Sequence, residues 1–317
     1  PQPLTDLLRR CLLLLVLSLP IVIASFVLLP RMPALVSVPG AGPSTTGLDD
    51  QLRPGSIASL AQSDALAARI LFSDQRPPPP DERYWRVLVH HHFDGEGWSL
   101  GQLPLVAKGH PLAPLQTQTT STQRWLVEPN GLQWRPWGGQ GLPSDPSLRI
   151  TADGTLWEQT PLNTRERYQI LNTSRLAGWN AVPPTPDDRM LPAGSNPRLE
   201  ALGRSWASQS PGAAGRLALA EQWFKSQPFV YTLEPGSLPR NAPWDAFLFE
   251  QQAGFCEHFA AGFTALMRAA GLPARVVVGY QGGSWQHPLA SEPYLMLRQS
   301  DAHAWSEVWI DGQGWIA

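Results

Sequence analysis

Two residues far apart in the chain have the types that nucleophilic chemistry needs: Cys256 in GFCEHFAAGFTALMRAAGLPARVVVGY and His303 in SDAHAWSEVWIDGQGW. A thiol attacks a carbonyl once a base takes its proton, and imidazole titrates in the range where it can do so. After the cysteine, Phe259, Phe263, Leu266, Met267 and Ala270 recur at the spacing of a core-facing helix. Gly271 stops that helix and Pro273 forbids its resumption. Cys256 therefore falls in or just before the first turn, where unpaired N–H groups and the positive end of the dipole favour an anion. The position predicts a thiol with a lowered pKa. Arg275 to Val278 is a β-branched run that suits a buried strand closed by Gly279.

The base needs an extended strand to hold it. There, His303, Trp305, Glu307 and Trp309 line one face, and Ala304, Ser306, Val308 and Ile310 the other. Asp311-Gly312-Gln313-Gly314 reads as a hairpin turn, so the chain from Trp315 runs back beside this strand. Asp311 is eight strand residues from His303, roughly 26 Å at ~3.3 Å per residue, too far to orient the imidazole. Asp301 is two residues away on an extended chain and is a poor substitute. Glu257 and His258 adjoin the cysteine, but neighbouring helix residues point about 100° apart, so both are read as scaffold.

The order GFCEHFA, RAAGLPARVVVGYQGG, DAHAWSEVW and GW resembles the transglutaminase-like superfamily of papain-type thiol enzymes, most closely the membrane-anchored bacterial transglutaminases of the TgpA type. The resemblance implies an α+β papain-like core, with a cysteine helix packed on an antiparallel sheet that carries the histidine. It makes Cys256 the nucleophile and His303 the general base of a Cys-His-Asp triad. The aspartate of such proteins lies within GW-x-x-x-D-P, which puts it two places past Ala317. The implied reaction is transfer of a glutamine acyl group to an amine through a cysteine thioester, on a protein or peptide donor, with no cofactor and no metal. A thiol peptidase or amidase of the same fold, and a domain that only binds envelope proteins, stay open as alternatives.

Residues 11–29 are nineteen uncharged positions between Arg9-Arg10 and Arg31. At ~1.5 Å per residue they span a bilayer of ~30 Å. The arginine pair before them makes the N-terminal side cytoplasmic and everything after residue 31 external, hence periplasmic in an inner-membrane protein. A signal peptide is the competing reading, disfavoured by Pro1 at the start and by the lack of an A-x-A site after the apolar run. The chain thus reads as an excerpt of a larger membrane protein. With Cys11 in the span, Cys256 is the one thiol of the exported part and cannot form an internal disulfide. A net charge of −2 gives no reason to expect a nucleic-acid partner. Lys108 and Lys225 are the only lysines, so an amine acceptor comes mostly from elsewhere.

The 317 residues suit about two domains. After residues 1–31, residues 32–80 read as a juxtamembrane linker and lead-in that includes the stiff tract Pro77–Pro80. Residues 81–179 break into short β-like runs between turn residues, among them the hairpin signal Asp153-Gly154, and predict a small all-β domain. Residues 180–197, rich in Pro, Asp and Gly, read as a second linker, and residues 198–317 as the catalytic domain, with helices over Arg198–Gln209 and Ala213–Gln227. His90-His91-His92 would put His90 and His92 on one strand face, but no further ligands stand at a metal-site spacing. Trp134, Trp137 and Trp179, near Pro and Gly, could line a groove.

Overall fold

The computed structural model describes residues 48–101, 119–176 and 178–317, with Arg9, Leu13, Leu14 and residues 16–18 of the N-terminal stretch. Residues 1–44 and 45–317 are separate units. In the first, the described residues are helical; the rest of the predicted span, Cys11 included, lies outside the described residues, as do 32–47 of the predicted linker. Among the described residues no helix is long and apolar enough to cross a membrane.

The second unit runs α1 (Ser56–Leu60), β1 (Leu66–Phe72), β2 (Tyr84–His90), β3 (Thr119–Val127), β4 (Gln140–Pro143), β5 (Glu166–Leu176), α2 (Pro197–Gln209), α3 (Ala213–Ser226), α4 (Cys256–Ala269), β6 (Ala274–Gln281), β7 (Ser284–Gln286), β8 (Tyr294–Arg298), β9 (Ala302–Ile310) and β10 (Gly314–Ile316), with shorter pieces between. The strands form two antiparallel sheets. One has the order β7-β8-β1-β3-β5-β4 and the other β10-β9-β6-β2. Helix α4 packs on β9 and β6, and α2 and α3 pack on α4.

Strand β6 explains the arrangement. It is buried from Ala274 to Tyr280, so both its edges must find backbone partners away from water. Strand β9 takes one edge, pairing Val277 with Trp305, and β2 takes the other, pairing Val277 with Val89. Strand β2 comes from the β-rich stretch 81–179, and β8, from the helical half, joins the sheet of β3 and β5 by pairing with β1. The β-rich and helical regions therefore share strands in both sheets. Gly279 is required where β2 crosses β6, because a Cβ there would overlap the Trp85 carbonyl oxygen.

Several stretches predicted as connectors are built into the core. Leu48 and Leu52 are buried, and Gln51–Leu52 pairs with Trp98–Ser99. In residues 180–197, the buried Asp188 accepts the Thr185 N–H at 2.7 Å and lies 2.6 Å from His91 Nδ1. Asn196, also buried, accepts the Trp244 N–H at 2.9 Å and donates to the Gly95 carbonyl at 3.0 Å. Pro, Asp and Gly mark turns, but they carry no sign of which turns are clamped. The three tryptophans that could have lined a groove are packed instead. Trp134 and Trp137 are core residues, the latter donating to the Gly154 carbonyl at 2.9 Å, and Trp179 donates to the Gly139 carbonyl while covering the Arg86 guanidinium at 4.1 Å.

Candidate active site

Cys256 is the first residue of α4. The helix starts here because Phe255 is extended and its N–H donates to His258 Nδ1 at 3.3 Å, which satisfies a donor the helix cannot use. Gly254 lets the chain enter, since a Cβ there would come within 2.6 Å of the Phe247 ring. At the other end, Gly271 at φ +80° donates to the Arg268 carbonyl and Leu272 to that of Met267, both at 2.9 Å. These two bonds form the paired closure of a glycine-terminated helix. Glu257 turns away from the sulfur, and its carboxylate accepts the N–H groups of Gly55, at 2.6 Å, and Ile57. Both neighbours of the cysteine thus hold the helix start in place.

His303 pairs with Gly279 across β9 and β6. Its ring stacks near that of Trp305, with centroids 6.4 Å apart, and stands 6.3 Å from the Tyr84 ring. On the alternate face, Ser306 donates to the Ala260 carbonyl at 2.8 Å and receives the Thr264 hydroxyl at 3.0 Å, which ties β9 to α4. Glu307 faces elsewhere and is buried between the guanidinium groups of Arg86 and Arg275. Strand β10 pairs only with Val308–Ile310, and at Ala304 the backbone N–H of β9 is free to hydrogen-bond the Cys256 sulfur. Cys256 and His303 line one cavity of about 280 Å³, together with Tyr231, Phe259, Phe263 and Trp305.

The charge state of the pair corrects the expectation of an acidified thiol. Burial pushes the Cys256 thiol up to about 12, against the pull of the Ala304 and Glu257 N–H groups and the Tyr231 hydroxyl. That rise, from 9.0, corresponds to roughly 4 kcal/mol, whereas a helix terminus contributes up to about 2 kcal/mol even in a partly buried geometry. Burial likewise pulls His303 down to about 4. At neutral pH the pair rests as thiol and free imidazole, so the proton must leave the sulfur as the carbonyl is attacked.

The remaining candidates are engaged elsewhere. Asp311 accepts the Trp309 indole N–H at 2.8 Å, and Asp301 the Arg298 N–H at 2.8 Å, each within its own turn. Gln251 donates to the Pro235 and Ala253 carbonyls and Gln252 to Gln227 and Leu248, so neither points a side chain at the sulfur. Trp244, also close to Cys256 in sequence, is buried beside Phe247. Of the histidine triplet, His90 is fully buried and held down to about 4 by that burial, whereas His91 sits between Asp188 and Asp153. Among the described residues no cluster of three or more His, Cys, Asp or Glu is arranged to hold a metal ion. Sequence reasoning missed Tyr231, whose signal was an aromatic residue in a short alternating run, and the Ala304 N–H, which has no sequence signal.

Comparison with known proteins fits this geometry. Residues 1–175 match the family model of the TgpA N-terminal domain, and residues 203–317 that of the transglutaminase-like superfamily. A protein-glutamine gamma-glutamyltransferase of Pseudomonas aeruginosa is 33% identical over 307 residues, covering 96% of this chain and 45% of that protein. Uncharacterized protein YebA of Bacillus subtilis is 30% identical over 129 residues, or 40% of this chain and 18% of its own. The chain thus spans less than half the length of these curated relatives. The crystal structure of the periplasmic domain of TgpA from P. aeruginosa superposes with a TM-score of 0.75 at 32% identity, over 85% of this chain and 92% of that one. Its ethylmercury-bound form gives 0.72 at 31%, over 85% and 94%. With the N-terminal match covering more than half of its residues and the C-terminal match covering the cysteine and histidine motifs, the chain belongs to the TgpA family of transglutaminase-like proteins.

Proposed function

We propose that this chain carries the catalytic region of a protein-glutamine γ-glutamyltransferase. The observation that carries the reading is the shared cavity of Cys256 and His303 at the start of α4. An amide carbonyl is a weak electrophile, so its attack needs a strong nucleophile, a proton for the departing nitrogen and donors for the oxyanion. The Cys256 sulfur attacks the glutamine γ-carbonyl as His303 takes the thiol proton. The imidazolium gives that proton to the amide nitrogen, and ammonia leaves behind a thioester. An amine then attacks the thioester while His303 takes its proton and returns it to the sulfur, which leaves an isopeptide bond and free thiol. The Cys256 N–H, at the open end of the helix, serves as one oxyanion donor.

The third triad member belongs on the strand that continues β10. In the β9–β10 register Val308 opposes Ile316. Extending that pairing brings the position two places past Ala317 opposite Trp305, on the face of His303 and diagonal to it. Diagonal cross-strand neighbours are about 7–8 Å apart at Cα, within reach of a carboxylate and an imidazole. An aspartate there would fix the tautomer and stabilise the imidazolium.

The nineteen uncharged residues 11–29 after Arg9-Arg10, and the likeness to the periplasmic domain of TgpA, support an anchor in the inner membrane with residues 198–317 catalysing in the periplasm. The substrates are then a glutamine-bearing envelope protein or peptide and an amine. The test is incorporation of a fluorescent primary amine into a glutamine peptide by full-length protein, with ammonia release measured in parallel. Ammonia and amine product in equal amounts are expected, and backbone cleavage products would replace this reading with a peptidase.

A further inference from the structure

The acyl-transfer reading leaves open how the donor glutamine is presented, and an unpaired backbone edge beside the cysteine bears on it. The two-residue strand Val230–Tyr231 pairs in parallel with Ala253–Gly254, immediately before the nucleophile. The Val230 and Thr232 N–H groups bond the Gln252 and Gly254 carbonyls, each at 2.8 Å. Because alternate residues of a strand turn their polar groups to opposite sides, the N–H and C=O of Tyr231 face outward. No strand covers this side among the described residues, and Tyr231 is 59% exposed. Such an edge is a template for one more strand.

Exposed apolar side chains gather here as well. Val230, Tyr231 and Leu233 all stand on this short run, and Tyr84, also exposed, has its ring against His303. Exposed apolar groups massed at one place mark a surface that binds something. The cavity next to Cys256 has no Asp, Glu, Lys or Arg in its walls. Phe259 and Phe263 stand one and two turns along α4 from the cysteine, about 5 and 10 Å by helix rise.

We infer that the donor binds as an extended, unfolded segment that adds a strand to the Tyr231 edge and seats a large aliphatic or aromatic residue, two places from its glutamine, against Phe259 and Phe263. The spacing follows from strand geometry. Residues two apart share a face and lie about 6.8 Å apart, so a glutamine reaching Cys256 carries its next inward residue onto the phenylalanine wall. Main-chain pairing supplies sequence-independent affinity, and the apolar wall supplies choice.

The inference rests on the acyl-transfer reading only for the identity of the reacting residue, and the test separates the two. Matched glutamine peptides carrying Leu, Phe, Asp or Lys two places before or after the glutamine are assayed for amine incorporation by full-length protein. Their binding to the Cys256→Ala variant is measured by fluorescence anisotropy. A second series methylates one backbone nitrogen at a time. The expected result is at least a tenfold preference for Leu or Phe over Asp in kcat/KM and in binding. Methylation should weaken binding at alternate positions only. Turnover with no preference and no methylation effect overturns the inference and leaves the transferase reading standing. Selective binding without turnover does the reverse, and peptides neither bound nor modified sink both.

Discussion

A buried thiol facing a free imidazole reacts by a different pH law from a preformed ion pair. With Cys256 up at about 12 and His303 down at about 4, the thiolate fraction near neutrality is small. Iodoacetamide should therefore alkylate Cys256 of the 317-residue chain at a rate that climbs through the alkaline range. A plateau already reached at pH 6 would contradict the assignment. His303→Ala should lower amine incorporation by about 10²–10⁴-fold, the usual worth of a general base, while the peptide still binds Cys256→Ala. The placement of both residues was legible in the sequence, because a cysteine at a helix start and a histidine on a strand each carry local signals. Their charge states were not legible. Those depend on burial supplied by Tyr231, the Ala304 backbone and the aromatic wall, which meet only after folding.

At the scale of elements, buried charges hold the strands in register. Glu307 on β9 is enclosed with Arg86 of β2 and Arg275 of β6. Glu307→Gln leaves two guanidinium groups without their counter-charge and should cost about 3–5 kcal/mol in urea unfolding. His91 between Asp153 and Asp188 gives a pH signature. Burial alone would lower His91, but its hydrogen bonds to the two carboxylates win and its pKa is raised, while theirs are lowered. A raised histidine contributes stability that is present below its unfolded value near 6.5 and lost as pH rises through the folded value. The lowered carboxylates contribute stability that is lost as pH falls below about 3.8. Melting temperature should therefore be favoured by this cluster between about pH 4 and 6.5, and Asp188→Asn should flatten the dependence across both limits. Helix α4 and the β9–β10 hairpin were readable from Gly271, Pro273 and the Asp311–Gly314 turn. The pairing of β2 with β6 was not, since nothing near Val89 announces a partner almost 190 positions later.

Across the whole molecule, the first described stretch of the second unit closes on the last. Glu257, directly after Cys256, holds the backbone of Gly55 and Ile57, and α1 packs on α4 and β9. Gly55, read from composition as the end of the linker, is thus part of what positions Cys256, together with the short helix that follows it. Removing residues 1–44 should leave a cooperatively folded protein, because the second unit begins at Thr45. Removing residues 1–60 exposes the Glu257 carboxyl and the helix start, and should lower the melting temperature and abolish amine incorporation together. If the shorter protein melts and reacts like the longer one, the clamp has no role.

The claim underlying all of this is that Cys256 and His303 form one acyl-transfer centre acting on glutamine. The direct measurement is intact-protein mass spectrometry of full-length protein mixed with a glutamine peptide and quenched in acid before amine is added. The account predicts an adduct equal to the peptide mass minus ammonia, attached at Cys256, discharged by a primary amine, and absent in Cys256→Ala. An unmodified protein that nonetheless yields product, or an adduct that persists in Cys256→Ala, would contradict it.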